Sequence, residues 1–370
     1  MNRRILYEDV WENKKNVKID NYLVRNQKTY FMTNTMEKSK VHYQPFNNPA
    51  AGTIIMGVRG QHGSEKVYVS GTTTNGMVNG LLYLGPLTGQ GNDGKWYELN
   101  YTSPDFDDVT STSCYGPNNA PGGNVQIVGA YLRSSTGKNN LGFYYEGPLD
   151  GSGTWTTVSP NNGDTNNVFV HSTMGGLAVG NYDFGNDING RAFIYDIATG
   201  LCTDFMIPGS LTTTLYGIWH NGGNSFTLAG GYSAKELGEF SQAFLVDYDS
   251  ETKATSNFKA FSYKNEKMLS IVTHFEGITL AADHDGYNMP ADWINIKGSP
   301  KEGASFVSVK RNPDRSFGEA TWVDIAYPGD IVTSANTAYK NSILGICVAD
   351  AGSGAAPVTS SFCATVIPAK

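Results

Sequence analysis

Three histidines occupy comparable places in three successive apolar stretches: His171 in Val170-His-Ser, His220 in Trp219-His-Asn and His274 in Thr273-His-Phe. Arg59 in Val58-Arg-Gly and Cys114 in Ser113-Cys-Tyr hold the matching places nearer the N-terminus. Converging imidazoles can ligate a transition metal or act as a general base near neutral pH, and a guanidinium beside them can stabilise an anion. A second set is Asp283-His-Asp285, two carboxylates flanking an imidazole, which could run a proton relay or hold Ca²⁺. It is read as the end of a strand, followed by the longest insertion, residues 286–303, a lid-like loop carrying Trp293. A third set, Tyr131, Tyr182 and Tyr232, closes three matching strands and, with Trp219 and Trp293, would suit a small organic or sugar ligand. Each set also has a plain structural reading. A histidine can cap its own hairpin, Asp-x-Asp-Gly is a common solvated turn, and a tyrosine at a repeat-constant place packs first of all.

The elements that would position these residues are repeats. Gly123-Asn-Val-Gln-Ile-Val-Gly-Ala-Tyr131, Gly175-Gly-Leu-Ala-Val-Gly-Asn-Tyr182 and Asn224-Ser-Phe-Thr-Leu-Ala-Gly-Gly-Tyr232 are three versions of one strand, with weaker copies beginning at Lys66, Gly277 and Ser342. Each is followed by a second apolar strand. A third then opens at Trp96, Trp155, Cys202, Phe258 and Trp322, in steps of 59, 47, 56 and 64 residues. Steps of this size suit four short strands plus loops. Apolar residues alternate over four to six positions and then meet Asn-Gly, Asp-Gly or Gly-Gly turns, which is the period of strands and not of helices. The expected fold is therefore all-β: a six-bladed β-propeller of four-stranded antiparallel blades. The last repeat lacks its outermost strand, and Val41-His-Tyr-Gln-Pro-Phe46 is spare, so an N-terminal strand should close the ring. Residues 1–26 are read as an N-terminal arm and 27–370 as a single propeller.

Composition agrees and narrows the partners. The 370 residues are 39% hydrophobic and 12% aromatic, with a mean hydropathy of −0.32, 43 Gly and 15 Pro, and only 16% charged. A net charge of −7 gives no general pull on nucleic acid or an anionic membrane. Acids at Glu8 and Asp9 stand where a signal peptide would need apolar residues, so the expected compartment is cytoplasmic. Four scattered cysteines form no CxxC or CxxH pair, and no Walker loop, Gly-x-Ser-x-Gly elbow or His-Glu-x-x-His occurs. The oligomeric state is open.

The segments Gly190-Arg-Ala-Phe-Ile-Tyr-Asp196, Ile207-Pro-Gly209, Tyr216-Gly-Ile218 and Leu228-Ala-Gly-Gly-Tyr232 resemble the HAF-type propeller repeat of bacterial proteins. Asn92-Asp-Gly-Lys-Trp96 and Asp150-Gly-Ser-Gly-Thr-Trp155 are similar to degenerate Asp-boxes of sialidase-like propellers, without the full motif order. Both resemblances imply architecture and not activity. The expected function is an enzyme acting on a small organic molecule in the axial funnel, in a biosynthetic reaction of the alkylating or lyase type. His171, His220, His274, Asp283 and Asp285 are the acid/base candidates and Arg59 the anion contact, with Ca²⁺ or a His-bound transition metal as the possible cofactor. The competing expectation is a non-catalytic ligand-, glycan- or protein-binding propeller that uses Tyr131, Tyr182, Tyr232, Trp219 and Trp293 as contacts.

Overall fold

The structure, a computed structural model, describes residues 39–370 apart from short stretches at 51, 74–77, 138, 161–164, 185–186, 239, 267–270, 296–300, 350–357 and 368–370. The expected N-terminal arm lies outside the described residues. Six separate antiparallel sheets form a propeller ring. Their innermost strands, which number the blades 1 to 6, are Thr53–Gly60, Val109–Asn119, Thr165–Met174, Ser210–Gly222, Ile271–Phe275 and Val332–Tyr339. Six apolar clusters fill the wedges between neighbouring blades, one per wedge, including the wedge between blades 6 and 1 where Phe46, Ile55, Val69, Tyr83, Leu344 and Cys363 meet. Blades therefore bury both faces against each other, as radial sheets must. The outermost strand of blade 6 is Lys40–Pro45, paired antiparallel with Val358–Ile367, so the ring closes through the N-terminal strand as the repeats require. Among the described residues no helix is long and apolar enough to cross a membrane.

One irregularity recurs in the inner strands and explains the most visible sequence motif. In five blades the register between first and second strand slips by one residue, at Ile55/Gly57, Cys114/Gly116, Val170/Ser172, Leu215/Gly217 and Ala335/Thr337. Each slip is a β-bulge, which pushes one residue of the inner strand out of line and bends the chain towards the partner strand. Opposite each bulge the second strand carries glycine: Gly71, Gly129, Gly180, Gly230 and Gly345. A Cβ at any of these five would be driven into the carbonyl oxygen of Ile54, Ser113, Phe169, Thr214 or Ser334. Blade 5 is the exception in one respect. Its register slips by the same one residue, between Phe275/Ala291 and Thr279/Asn288, but the residue facing Phe275 is Ala291 and not glycine.

The glycine of the repeated strand motif is thus the footprint of the bulge. Gly230→Ala should lower stability by about 2–4 kcal/mol, because the added methyl meets fixed backbone. The reverse change at the matching place, Ala291→Gly, should lower it by only about 1 kcal/mol. Urea unfolding of the two variants checks this, and equal losses would separate the motif from the bulge.

Candidate functional site

The bulges put the inner strands of all six blades into one alignment. In four of them a threonine stands three residues before the bulge, and the hydroxyls of Thr53, Thr112, Thr213 and Thr333 accept the backbone N–H of Asn48, Tyr101, Ile207 and Tyr327 from the incoming loops at 2.9–3.1 Å. Three residues on, the bulge displaces Met56, Tyr115, Tyr216 and Asn336, and His171 in blade 3. In blade 5 the same count from Thr273 arrives at Glu276, just past the end of the strand.

These residues, and those two places earlier, form a belt in which contacts pass from each innermost strand to the next. Tyr115 and His171 have ring centroids 5.4 Å apart, His171 and Tyr216 4.5 Å, and Tyr216 and His274 5.5 Å. The His274 Nε2 lies 2.6 Å from Glu276 Oε1. In blade 6 Ser334 Oγ lies 3.1 Å from Asn336 Oδ1, and Asn336 Nδ2 donates to Ile55 O at 2.5 Å, which returns the belt to blade 1. A chain of contacts that visits successive inner strands in order surrounds the ring axis.

Blade 5 supplies the ionisable part of the belt. His274 and Glu276 are two residues apart, and Asp292 stands directly across from His274 on the second strand, so the pleat brings all three together. The Glu276 side chain is 3% exposed and the His274 ring 20%. The carboxylate orients the ring. Asp292 Oδ1 accepts the Ala335 N–H at 2.8 Å, and Oδ2 accepts the Ser334 hydroxyl at 2.5 Å. Despite these two donors its carboxyl is pushed up to about 6, first by burial and then by the nearby charge of Glu276.

Blade 3 shows that the structural task at this place needs no acid. There the residue across from Phe169 is Asn181, whose Oδ1 accepts the Leu215 N–H of the next blade at 2.7 Å. An amide is sufficient to pin one inner strand to the next. The carboxyl of Asp292 adds a titratable proton to that task.

Three residues beyond the belt, Arg59 of blade 1 reaches Trp219 of blade 4, its guanidinium carbon 5.3 Å from the ring centroid. Blades 1 and 4 face each other across a ring of six, so this side chain crosses the axis. Its Nε is shut off from solvent with no hydrogen-bond partner, and burial lowers its pKa to about 10.

The remaining sequence candidates lie elsewhere. His220 is four residues past Tyr216, its Nε2 2.8 Å from Gly223 O and its ring against Phe226, so it closes its own hairpin. A place near the end of the inner strand had grouped it with His171 and His274, but it stands four residues past the bulge of its own strand, whereas His171 is itself the bulged residue. The rings of His171 and His274 both lie against Tyr216 and do not meet each other as a ligand pair would. Among the described residues no group of three His, Cys, Asp or Glu side chains is placed to hold a metal ion. Cys114 is buried in the wedge core, where burial pushes its thiol up.

The lid reading of residues 286–303 is corrected by the structure. Gly286–Asn295 and Lys301–Arg311 are the second and third strands of blade 5, because Tyr287, Met289, Ala291 and Trp293 alternate inward and fill a wedge. Trp293 stacks on Tyr263 at 3.9 Å and donates to Ser305 Oγ at 3.1 Å. Asp283 and Asp285 also change place. Only Thr279–Leu280 of their segment is strand, and the two acids lie exposed in the turn between inner and second strands, with Lys310 Nζ 3.9 and 3.4 Å away. That turn is at the opposite end of the second strands from the tyrosines. Tyr131 and Tyr182 are buried, Tyr232 half-buried, and their hydroxyls meet Thr157, Asp204 and Gln242 within their own sheets at 2.8–2.9 Å.

Glu276 and Asp292 are the site residues that sequence reasoning missed. His274-Phe-Glu276 carried a period-2 signal, whereas the pairing of Asp292 with His274 depends on strand register.

No family model matches the chain, and no curated protein matches it in sequence. Solved structures give distant similarity only. A TolB-type protein of Agrobacterium tumefaciens is 10% identical over 78% of this chain and 90% of its own, with a TM-score of 0.45. A GH43 β-1,3-galactosidase bound to galactodeoxynojirimycin is 9% identical over 76% of this chain and 98% of its own, at 0.42. A hypothetical protein from Leishmania major is 12% identical over 84% and 97%, at 0.38.

Proposed function

We propose that the chain is an enzyme acting on a small organic molecule in its axial funnel, with acid–base chemistry run from blade 5. The observation that supports this is the juxtaposition of His274, Glu276 and Asp292 on the belt, where one carboxyl is held protonated towards neutral pH beside an imidazole that another carboxylate orients. A group that keeps its proton near the working pH and can still release it is a general acid, and an oriented imidazole is a general base. His274 takes a proton from the substrate and Asp292 gives one to the leaving group, the pairing that an elimination or lyase-type reaction requires. Glu276 is a positioning residue, stabilising the imidazolium that forms. The binding-module reading has less support, because Tyr131, Tyr182 and Trp293 are occupied inside the sheets.

Two outcomes test the assignment. Incubated with a bacterial small-molecule extract and followed by mass spectrometry, the wild type should deplete at least one compound. Asp292→Asn, which keeps an acceptor for the Ala335 N–H as Asn181 does in blade 3, should do so about 100-fold more slowly or worse. Unchanged turnover by that variant would remove the acid from the mechanism.

The second outcome concerns pH. A carboxyl whose folded pKa is raised contributes stability that is fully present below its unfolded value, near 4, and is lost as the pH rises through about 6. In urea melts the stability of Asp292→Asn relative to wild type should therefore improve between pH 4 and pH 7. Parallel curves would show that Asp292 titrates normally.

A further inference from the structure

We infer that the ligand of the axial funnel carries an oxyanion, a carboxylate or a phosphate, held by the guanidinium of Arg59 against the face of Trp219. This deepens the functional reading above by naming the class of molecule that the same funnel takes. Three observations carry it. Arg59 spans the axis and meets Trp219 of the opposite blade, so the guanidinium stands where any molecule in the funnel must pass. It has no acidic partner: no ion pair to it is formed among the described residues, and its Nε is buried without an acceptor. The places level with Arg59 on the other inner strands hold Asn118, Met174, Trp219, Thr279 and Tyr339, none of them an acid.

Arg59 is partly buried, with its Nε shut off from solvent; a guanidinium keeps its charge there, and a charge drawn partly out of water without a partner is a standing loss of stability. Elsewhere in this chain buried or half-buried arginines are matched: Arg133 pairs with Asp108 at 2.6 Å, and Arg311 with Asp247. The exception falls on the axis. A planar fork of donors with no protein acceptor is shaped for a bidentate oxyanion, and the indole face beside it shields the pair from water. Arg59 is three residues along its strand from the belt, a separation of about 10 Å at the usual rise per residue. The ligand is thus elongated, with its charged end at Arg59 and its reacting end at His274 and Asp292.

The test is binding of known probes and needs no turnover. Wild type, Arg59→Met and Asp292→Asn would each be titrated with inorganic phosphate, with succinate and with neutral succinamide, and followed by thermal shift and tryptophan fluorescence. Wild type and Asp292→Asn should show a saturable rise in Tm with phosphate or succinate and none with succinamide; the two anions separate a phosphate from a carboxylate ligand. Arg59→Met should bind about 10- to 100-fold more weakly, and without any anion its Tm should equal or exceed that of wild type. No saturable shift in wild type, or equal binding by Arg59→Met, overturns the inference. So does strong destabilisation of Arg59→Met, which would make the side chain a structural pillar. Failure of the acid–base reading would look different: anion binding lost in Arg59→Met, with turnover unchanged in Asp292→Asn.

Discussion

Six strands that converge on one axis leave almost no room at the level where they come closest, and that crowding governs the rest of the ring. Immediately after each belt residue comes a small one: Gly57, Gly116, Ser172, Gly217, Gly277 and Thr337. A Cβ on Gly57 would strike the Tyr115 carbonyl of the next blade, one on Gly116 the backbone at His171 and Ser172, and one on Gly217 the backbone at Gly277 and Ile278. Where the residue is larger it bonds across the gap, as the Thr337 hydroxyl accepts the Val58 N–H of blade 1 at 3.1 Å. The bulge is how the chain meets this limit, stepping the preceding side chain aside so that backbones can approach. One steric requirement thus sets the spacing of the belt, the glycine opposite it and the direction in which Tyr115, His171 and Tyr216 face.

Blade 5 departs from that scheme, and the departure coincides with the ionisable cluster. It alone has an alanine in place of the glycine that faces the slip, and it puts a histidine and two carboxyl groups where other blades carry Ser113, Phe169 or Asn181. Burying two acids close together opposes folding, and burial and the charge of Glu276 both raise the pKa of Asp292 accordingly. Natural chains break a local rule most often at sites of function, with the loss offset elsewhere by ordinary packing. Here the offset is visible in the wedges on either side, where Phe275, Met289 and Val307 face blade 4 and Phe306, Ala335 and Phe362 meet between blades 5 and 6.

The architecture was legible because each repeat states it again. Alternation, turn dipeptides and a missing last strand led to six blades closed by Lys40–Pro45, and the sheets agree. Site residues were harder to find for a specific reason. Nothing in the sequence marks where the belt falls within each inner strand, so Arg59, Cys114, His171, His220 and His274 read as one layer when they lie three past, one before, at, four past and two before it. Asp283 and Asp285 stood out because two acids and an imidazole adjoin in sequence, although they occupy a solvated turn. Asp292 was silent because its partner is eighteen residues away along the chain and adjacent only across the ladder. The run from Gly286 looked like a loop because glycine, proline and polar residues interrupt its alternation, yet Tyr287, Met289 and Trp293 hold the period.

The seam of the ring also orders events in time. Lys40–Pro45 leaves the ribosome before any other strand of the ring, whereas its partner Val358–Ile367 is made more than 300 residues later. At 5–20 residues per second that is a delay of about 15–60 s. Throughout it the outer strand of the sixth sheet has no partner, and blade 1 has no neighbour on one side. A nascent chain of this kind remains an open crescent with sticky flanks until its final strands emerge. Its hazard of misassociation is therefore greatest just before the circle shuts.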